Sequence, residues 1–368
     1  MLGVVGVRVR NLRSARFLMT STYNKDAARQ VAVFQASTPL LLTAIEKMRL
    51  QRPAQSPIIV ADLGAAGGQN SLALVSFVVN ALRSSGDMND ICVYHEDLPQ
   101  SDFNTLAATI AKADVGDRVY FRMIPKSFYE RLFPSQTVDL VTSMITLHWV
   151  SRIPCSLPGT LVFCGDREYM ATTSDPHLSP DVLQAWRKQA ESDLVNFFAL
   201  RACELRGGGQ LVVSMVGGPG VVCDKGDGQR LNFAQLFDCA SLVATGILST
   251  GDANRLAFGA YLRSLEDVEA AVSQVKDLYH ESGEIKTVAI KYEFASGFEL
   301  ADFFLSIHFN QVMASVKPTS FSSGEDYGEA EPHPPLHRLI RESIASKIKH
   351  PNQLRWTINY HIVTLSRR

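Results

Sequence analysis

Two short segments of the 368-residue sequence carry residue types suited to holding a small ligand. The first is Asp62-Leu63-Gly64-Ala65-Ala66-Gly67-Gly68-Gln69-Asn70, where an apolar run ends in a carboxylate and passes at once into glycines. Glycine at such a turn lets the backbone approach a ligand closely. The spacing is G-x-x-G-G rather than the G-x-G-x-x-G of pyrophosphate binding, and a carboxylate inside the strand end suits a cationic amino group better than a diphosphate. The second segment is His95-Glu96-Asp97, which puts a carboxylate where a ribose diol could be gripped by two hydrogen bonds. Both features suit S-adenosylmethionine, which carries a sulfonium, an ammonium and a ribose but no phosphate. A glycine loop also occurs where a chain merely turns, so the reading depends on what surrounds it. Other chemistries find less support. Ser214, Cys203 and Cys223 have no base at a recognisable spacing, which argues against a nucleophilic triad, and His333 and His337 lie in or beside a loose stretch that would give a metal no rigid support.

These residues need a scaffold, and the hydrophobic pattern supplies one. Ala27 to Leu50 has helical spacing broken once at Pro39, which predicts helix, bend, helix. Ile58-Ile59-Val60-Ala61-Asp62-Leu63 is apolar until its end, as a strand buried on both faces reads. Helix over 71–83, strand over 91–94, helix over 103–113, strand over 119–124 and strand over 138–144 follow, an alternation that implies a parallel α/β sheet. A long helix over 178–205 is stopped by Gly207-Gly208-Gly209 before a fifth strand over 210–216. Residues 217–227 read as a glycine-rich loop and 231–262 as helices, and Ser264-Leu265-Glu266-Asp267 as a further helix start. The segments 284–294 and 354–365 read as two strands at the sheet edge. Pro318 to Pro335, rich in Ser, Gly, Glu and Pro, reads as a mobile loop, and there is no internal repeat.

Composition narrows the function classes. With 46% apolar and 20% charged residues and a formal charge of −1, the chain can bury a full core but has no bulk basic field for a nucleic acid or an anionic membrane. The longest apolar runs fall short of the roughly 20 residues of a membrane-spanning helix. Six cysteines without a C-x-x-C pair fit neither a disulfide scaffold nor a zinc site and point to a reducing compartment. Before Asp26 the chain has Arg8, Arg10, Arg13, Arg16 and Lys25 and no acidic residue, so residues 1–22 read as a leader, either disordered or targeting. The expected location is cytoplasmic, or an organelle if that leader is a transit peptide.

Four segments, in order, resemble the SABATH family of methyltransferases. The loop from Asp62 to Asn70 is similar to that family's D-L-G-C-S-S-G-P-N, and Glu96-Asp97-Leu98-Pro99-Gln100-Ser101-Asp102-Phe103-Asn104 to its N-D-L-P-x-N-D-F-N. Ser127-Phe128-Tyr129-Glu130-Arg131-Leu132-Phe133-Pro134 is similar to S-F-Y-x-R-L-F-P, and Thr146-Leu147-His148-Trp149-Val150-Ser151-Arg152-Ile153-Pro154 to S-L-H-W-L-S-x-V-P. The resemblance implies a Rossmann-like α/β core with a seven-stranded, mostly parallel sheet and an α-helical cap. The core would comprise 23–220 and 284–368, with 150–180 and 221–320 contributing the cap.

The resemblance also implies roles. Asp62 and Asn70 would hold the methionine end of S-adenosylmethionine, Asp97 its ribose, Leu98 one adenine face, and Ser127 with Phe128 the adenine edge and other face, with Tyr23 and Gly64 also binding the cofactor. Gln30 and the Trp149 indole N–H would hold the substrate carboxylate, His148 would line the acceptor pocket, and Ile145 and Phe233 would shape it. Without the neighbouring motifs, Trp149 reads as a core aromatic and His148 as a satisfied buried histidine. Ala27 replaces a serine usual near the cofactor carboxylate, and Ile145 a common pocket tyrosine, which makes the pocket more apolar. The implied activity is methylation of the carboxylate of a small, largely apolar acid, with no metal, nucleic acid or membrane and a homodimer as the assembly to be tested. N-methylation of a xanthine-like heterocycle, or cofactor binding without turnover, are the alternatives.

Overall fold

The computed structural model describes residues 12–53, 56–157, 164–166, 170, 178–224, 230–237, 239–254, 256–280, 285–315 and 334–368; for 12–30 and some positions in 219–240, 310–315 and 334–335 it describes the backbone alone. Residues 1–11 of the expected leader and most of the expected 318–335 loop lie outside the described residues. The chain opens with α1 (Leu12–Gln51), so residues 12–22 of that leader are helical. It continues through β1 (Ile58–Leu63), α2 (Gln69–Ser84), β2 (Ile91–Asp97), α3 (Phe103–Ala111), β3 (Val119–Pro125) and β4 (Val138–Ser143). Then come α4 (Pro180–Glu204), β5 (Leu205–Asp224), α5 (Leu265–Ser273), β6 (Ile285–Glu293), α6 (Gly297–Ser315), α7 (Pro334–Ser346) and β7 (Arg355–Arg367).

The main sheet runs in the order β6-β7-β5-β4-β1-β2-β3, with short strands Arg230–Asn232 on β5 and Leu278–Tyr279 on β7. From β5 to β3 every neighbouring pair is parallel, and β7 is antiparallel to both β5 and β6. That is the Rossmann-like, mostly parallel sheet expected. One face packs Ile58, Val60, Val93, Leu140 and Val212 against Leu41, Ile45 and Met48 of α1 and Leu74, Val75, Val78 and Val79 of α2. The other packs Ala61, Leu63, Val141, Leu211 and Val213 against Leu194, Phe197 and Phe198 of α4 and Val268, Ala271 and Val272 of α5. A third apolar cluster includes Phe237, Phe258, Phe304, Trp186 and Trp356.

Several expectations are corrected. Pro39 does not divide the first helix: α1 runs through it without a break. An interior proline costs about 3 kcal/mol. Burial of Leu41, Ile45 and Met48 against the sheet, at about 1.5–3 kcal/mol each, outweighs that. The Ser37, Thr38 and Thr43 hydroxyls also donate to carbonyls one turn back. The expected loop at 217–227 is strand as far as Asp224, because β7 pairs along it through Cys223↔Trp356. Of the two strands placed at the sheet edge, only β6 is there; β7 lies inside the sheet. The described residues of 231–262 form short pieces, including helices Cys239–Ala244 and Thr250–Ala253 and a strand Tyr261–Leu262 paired with Cys164–Gly165. No helix among the described residues is long and apolar enough to cross a membrane.

Candidate active site

The carboxyl end of β1 delivers Asp62 into a buried position where its two oxygens are held apart by two hydroxyls. Thr142 Oγ1 donates to Oδ1 at 2.7 Å and Ser71 Oγ to Oδ2 at 2.5 Å. The Ser71 proton is thereby committed to Asp62, so His95, whose Nδ1 lies 2.8 Å from Ser71 Oγ, is the donor to that oxygen. Burial lowers the His95 pKa despite the attraction of Asp62, which keeps the imidazole neutral.

Gly64 turns the chain after Asp62 with φ +84°, and a Cβ there would come within 2.4 Å of the Thr146 methyl carbon. Only glycine fits that approach. The next helix, α2, starts at Gly68 with no side-chain cap, leaving its first backbone N–H groups available to an anion. Asp62, Gly64, Asn70, Met144 and Ile145 line one cleft at this point.

At the end of β2, Glu96 Oε2 accepts from the Gly64 N–H at 3.1 Å, and burial, reinforced by Asp97, raises the Glu96 carboxyl well above the usual range. Asp97 accepts from the N–H groups of Ala66 and Leu98, both at 2.7 Å, and from the Ser101 hydroxyl at 2.5 Å. Three of about four acceptor positions on the carboxylate are therefore taken. Two bonds to a diol require Ser101 to let go. Asp102 caps α3 by accepting from the Thr105 N–H at 3.1 Å, so it belongs to the scaffold.

Leu98, Ser127, Phe128 and Trp149 line a second cleft. The segment carrying Ser127 and Phe128 is braced from α4: Arg201 donates to the carbonyls of Phe128 and Glu130, each at 2.9 Å, while Glu204 accepts from the N–H groups of Leu132 and Phe133. Arg201 and Glu204, both fully buried, pair at 2.8 Å.

Trp149 is partly buried, its ring 4.7 Å from that of His148 and 5.8 Å from that of His308 on α6. His148 is buried, its Nδ1 has no partner among the described residues, and burial holds its pKa well below the ordinary value. His308 is stacked on Phe258 at 4.7 Å and pushed down to about 3 by burial. Ile145 sits at φ +58°, in the left-handed region, with its N–H shared between Ser214 O and Oγ.

The structure thus brings together Asp62, Gly64, Asn70 and Ile145 in one cleft, and Leu98, Ser127, Phe128 and Trp149 in another, with Asp97 bonded to the glycine loop between them. His148 lines neither cleft and stands beside Trp149. The side chains of Tyr23, Gln30 and Phe233 lie outside the described residues, as does His333. No cluster able to hold a metal occurs among the described residues. Sequence reasoning placed His95 beside the ribose carboxylate without giving it a role, and gave none to Ser71, Arg201, Glu204 or His308; His308 had a trace, four residues after Phe304 on one helical face.

The family model described as SAM dependent carboxyl methyltransferase matches residues 18–299. Gibberellic acid methyltransferase 1 of Arabidopsis thaliana is 30% identical over 271 residues, covering 69% of this chain and 71% of its own length. Indole-3-acetate O-methyltransferase 1 of the same plant is 27% identical, covering 68% and 69%. Methyltransferase LUC1 of a Fusarium species is 28% identical, covering 69% and 65%. A solved structure of loganic acid methyltransferase with SAH superposes with a TM-score of 0.69 at 18% identity, covering 94% of this chain and 96% of that one, a likeness of fold. With its family model spanning most of the chain, this protein belongs to the SABATH family of S-adenosylmethionine-dependent carboxyl methyltransferases.

Proposed function

We propose that the acceptor is a small, largely apolar carboxylic acid, released as its methyl ester. One observation carries this reading: the two rings packed against Trp149, those of His148 and His308, are aromatic and uncharged, because both are buried. Neither cleft is lined by a lysine or arginine among the described residues. The named acids of the relatives, gibberellic acid and indole-3-acetate, support the same class.

When bound, S-adenosylmethionine supplies an electrophilic methyl group on a sulfonium. The uncapped start of α2, the close turn at Gly64 and the remaining acceptor position on Asp97 fit that molecule's carboxylate, main chain and ribose respectively. Asn70 would hold the methionine end with Asp62, Leu98 and Phe128 would sandwich the adenine, and Ser127 would bond its edge. Tyr23 would be a further cofactor residue.

A carboxylic acid with a pKa of about 4 is already ionised at neutral pH, so the residues need not abstract a proton. Their task is alignment: Gln30 and the Trp149 indole N–H would fix one oxygen as neutral donors. A cation in their place would stabilise the ground-state anion more than the transition state, in which charge is disappearing. Ile145, His148 and Phe233 would exclude water around that oxygen.

Incubation with methyl-labelled S-adenosylmethionine and a panel of aliphatic and aromatic acids tests this. The expected product loses its label as methanol in mild alkali, as an ester does. A label that resists alkali would mark N-methylation, and S-adenosylhomocysteine binding with no turnover across the panel would leave only a cofactor binder.

A further inference from the structure

We propose that the Tyr129 hydroxyl is a positioning group that couples the cofactor-side loop to the acceptor-side tryptophan. The inference rests on the reading above, in which Ser127 and Phe128 meet the cofactor and Trp149 meets the acid. Tyr129 follows both cofactor-side residues directly. Its N–H donates to Ser127 Oγ at 3.2 Å, and its ring packs on that of Phe128 at 4.7 Å. Its hydroxyl then donates to the backbone carbonyl of Trp149, twenty residues further along the chain, at 2.6 Å. One side chain therefore touches both halves of the site.

The bond reaches the Trp149 backbone rather than its ring, so it fixes where the indole starts. On its other sides the segment is tied elsewhere. The Trp149 N–H donates to Thr146 O at 3.0 Å, and Ser151 is held by Asp193 through two bonds of 2.7 Å. The cofactor-side loop is stiffened by Arg201 and Glu204, which grip it at Phe128, Glu130, Leu132 and Phe133. A shift imposed at Phe128 is thus passed to Tyr129 and from there to Trp149. Burial keeps the phenol protonated, and so a donor, throughout the neutral range. Occupancy of the adenine site then prepares the acid site, and by linkage the acid tightens cofactor binding by the same factor.

The probe is S-adenosylhomocysteine on the full chain, read by acrylamide quenching of tryptophan fluorescence. The protein has three tryptophans; Trp186 and Trp356 are buried, so quenching reports mainly Trp149. Saturating ligand is expected to change the quenching constant of the wild type, and one neutral hydrogen bond supports a coupling of roughly two- to tenfold in the affinity of each ligand for the other's complex. In Tyr129→Phe, calorimetry should show the ligand still bound while the quenching change is lost. In turnover the variant should raise KM for the acid at saturating S-adenosylmethionine and KM for S-adenosylmethionine at saturating acid by the same factor. Tyr129→Met removes the same hydroxyl and replaces the Phe variant if that one does not fold. An equal quenching change in the wild type and the variant would mean the ligand covers Trp149 itself and would overturn the coupling. No change in a wild type shown by calorimetry to be loaded would overturn it as well. Failure of the wild type to bind the ligand at all would instead remove the cofactor assignment, and the coupling with it.

Discussion

Ser71 Oγ lies 2.5 Å from Asp62 Oδ2, so the first turn of α2 is bonded to the end of β1 beneath the glycine loop. The same hydroxyl receives the His95 proton, which makes Ser71 the middle of a buried Asp–Ser–His chain. Ser71→Ala strands two buried polar atoms at once, at about 1–3 kcal/mol each. The expected result is a melting temperature lower by several degrees and weaker S-adenosylhomocysteine binding, measured by thermal unfolding and calorimetry. A variant that matched the wild type in both would show that the chain carries neither stability nor ligand geometry.

Glu96 gives a stability change of opposite sign to that of an ordinary carboxylate. Its folded-state pKa is raised by burial and by Asp97, so the folded chain holds a proton that the unfolded chain releases above about pH 4.5. Its favourable contribution is complete below that value and is lost as pH rises through the folded pKa. Glu96→Gln keeps the carbonyl that accepts from Gly64 and has nothing to release. The variant should therefore melt higher than the wild type at pH 8 and gain progressively less as pH falls towards 4. Parallel melting curves across that range would contradict a protonated Glu96.

What was legible in the sequence follows from how local each signal was. The run Ile58 to Leu63 reads as a buried strand because both its faces are covered, and Ser264 with Asp267 reads as a helix start because the capping box is complete within four residues. The strand through Gly217 was hidden because its glycine serves a distant partner: a Cβ there would meet the His361 ring at 2.1 Å, and His361 lies on β7. Arg201 and Glu204 look like surface charges of an amphipathic helix. Their burial is decided by carbonyls and N–H groups some seventy residues earlier, which no local pattern records. His308 was missed for the same reason, since its neighbours Trp149 and Phe258 come from separate segments.

The crowding on Asp97 makes a prediction that a simple ribose-gripping carboxylate does not. Ser101 occupies one of its oxygens, and a bound diol must compete with that hydroxyl. Ser101→Ala removes the competitor and should leave S-adenosylhomocysteine affinity equal to or up to about tenfold above that of the wild type, since a hydroxyl bond to a carboxylate is worth about 1.5–3 kcal/mol. Asp97→Asn should weaken it by at least tenfold, a charged acceptor bond being worth about 1.5–3 kcal/mol. Calorimetry on both variants separates the cases. A tenfold loss on Ser101→Ala would show that Ser101 orients Asp97 for the ligand rather than competing with it.

Ile145 is a β-branched residue at φ +58°, a conformation that costs about 1–3 kcal/mol. Its half-buried side chain gives back a comparable amount by covering the cleft. Ile145→Gly should therefore change the melting temperature little. Ile91→Gly, at a fully buried strand position with ordinary backbone, should be severely destabilising. The functional effect should separate from the stability effect: removing the side chain opens the acceptor wall and should let bulkier acids be methylated, seen as a changed ranking of kcat/KM across an acid panel. An unchanged ranking would place Ile145 away from the acceptor.

The pH dependence of turnover tests the absence of a general base. His148 and His308 are both neutral because of burial, His95 is lowered in the same way, and the Tyr129 phenol is raised, so none of these changes charge between about pH 6.5 and 9. An acid with a pKa of about 4 brings its own charge to the reaction. The profile of kcat/KM should accordingly show no limb from these four groups over that interval, and any limb from Glu96, whose raised carboxyl holds the Gly64 turn, should be absent in Glu96→Gln. His148→Gln, which keeps a neutral polar side chain, should alter KM for the acid without introducing a new slope. A heterocyclic N–H acceptor would behave differently, because its proton must be removed before or during transfer and a rising limb would report the group that takes it. If such a limb appeared near neutrality in the wild type and vanished in His148→Gln, His148 would be the base and the carboxylate reading would give way to N-methylation.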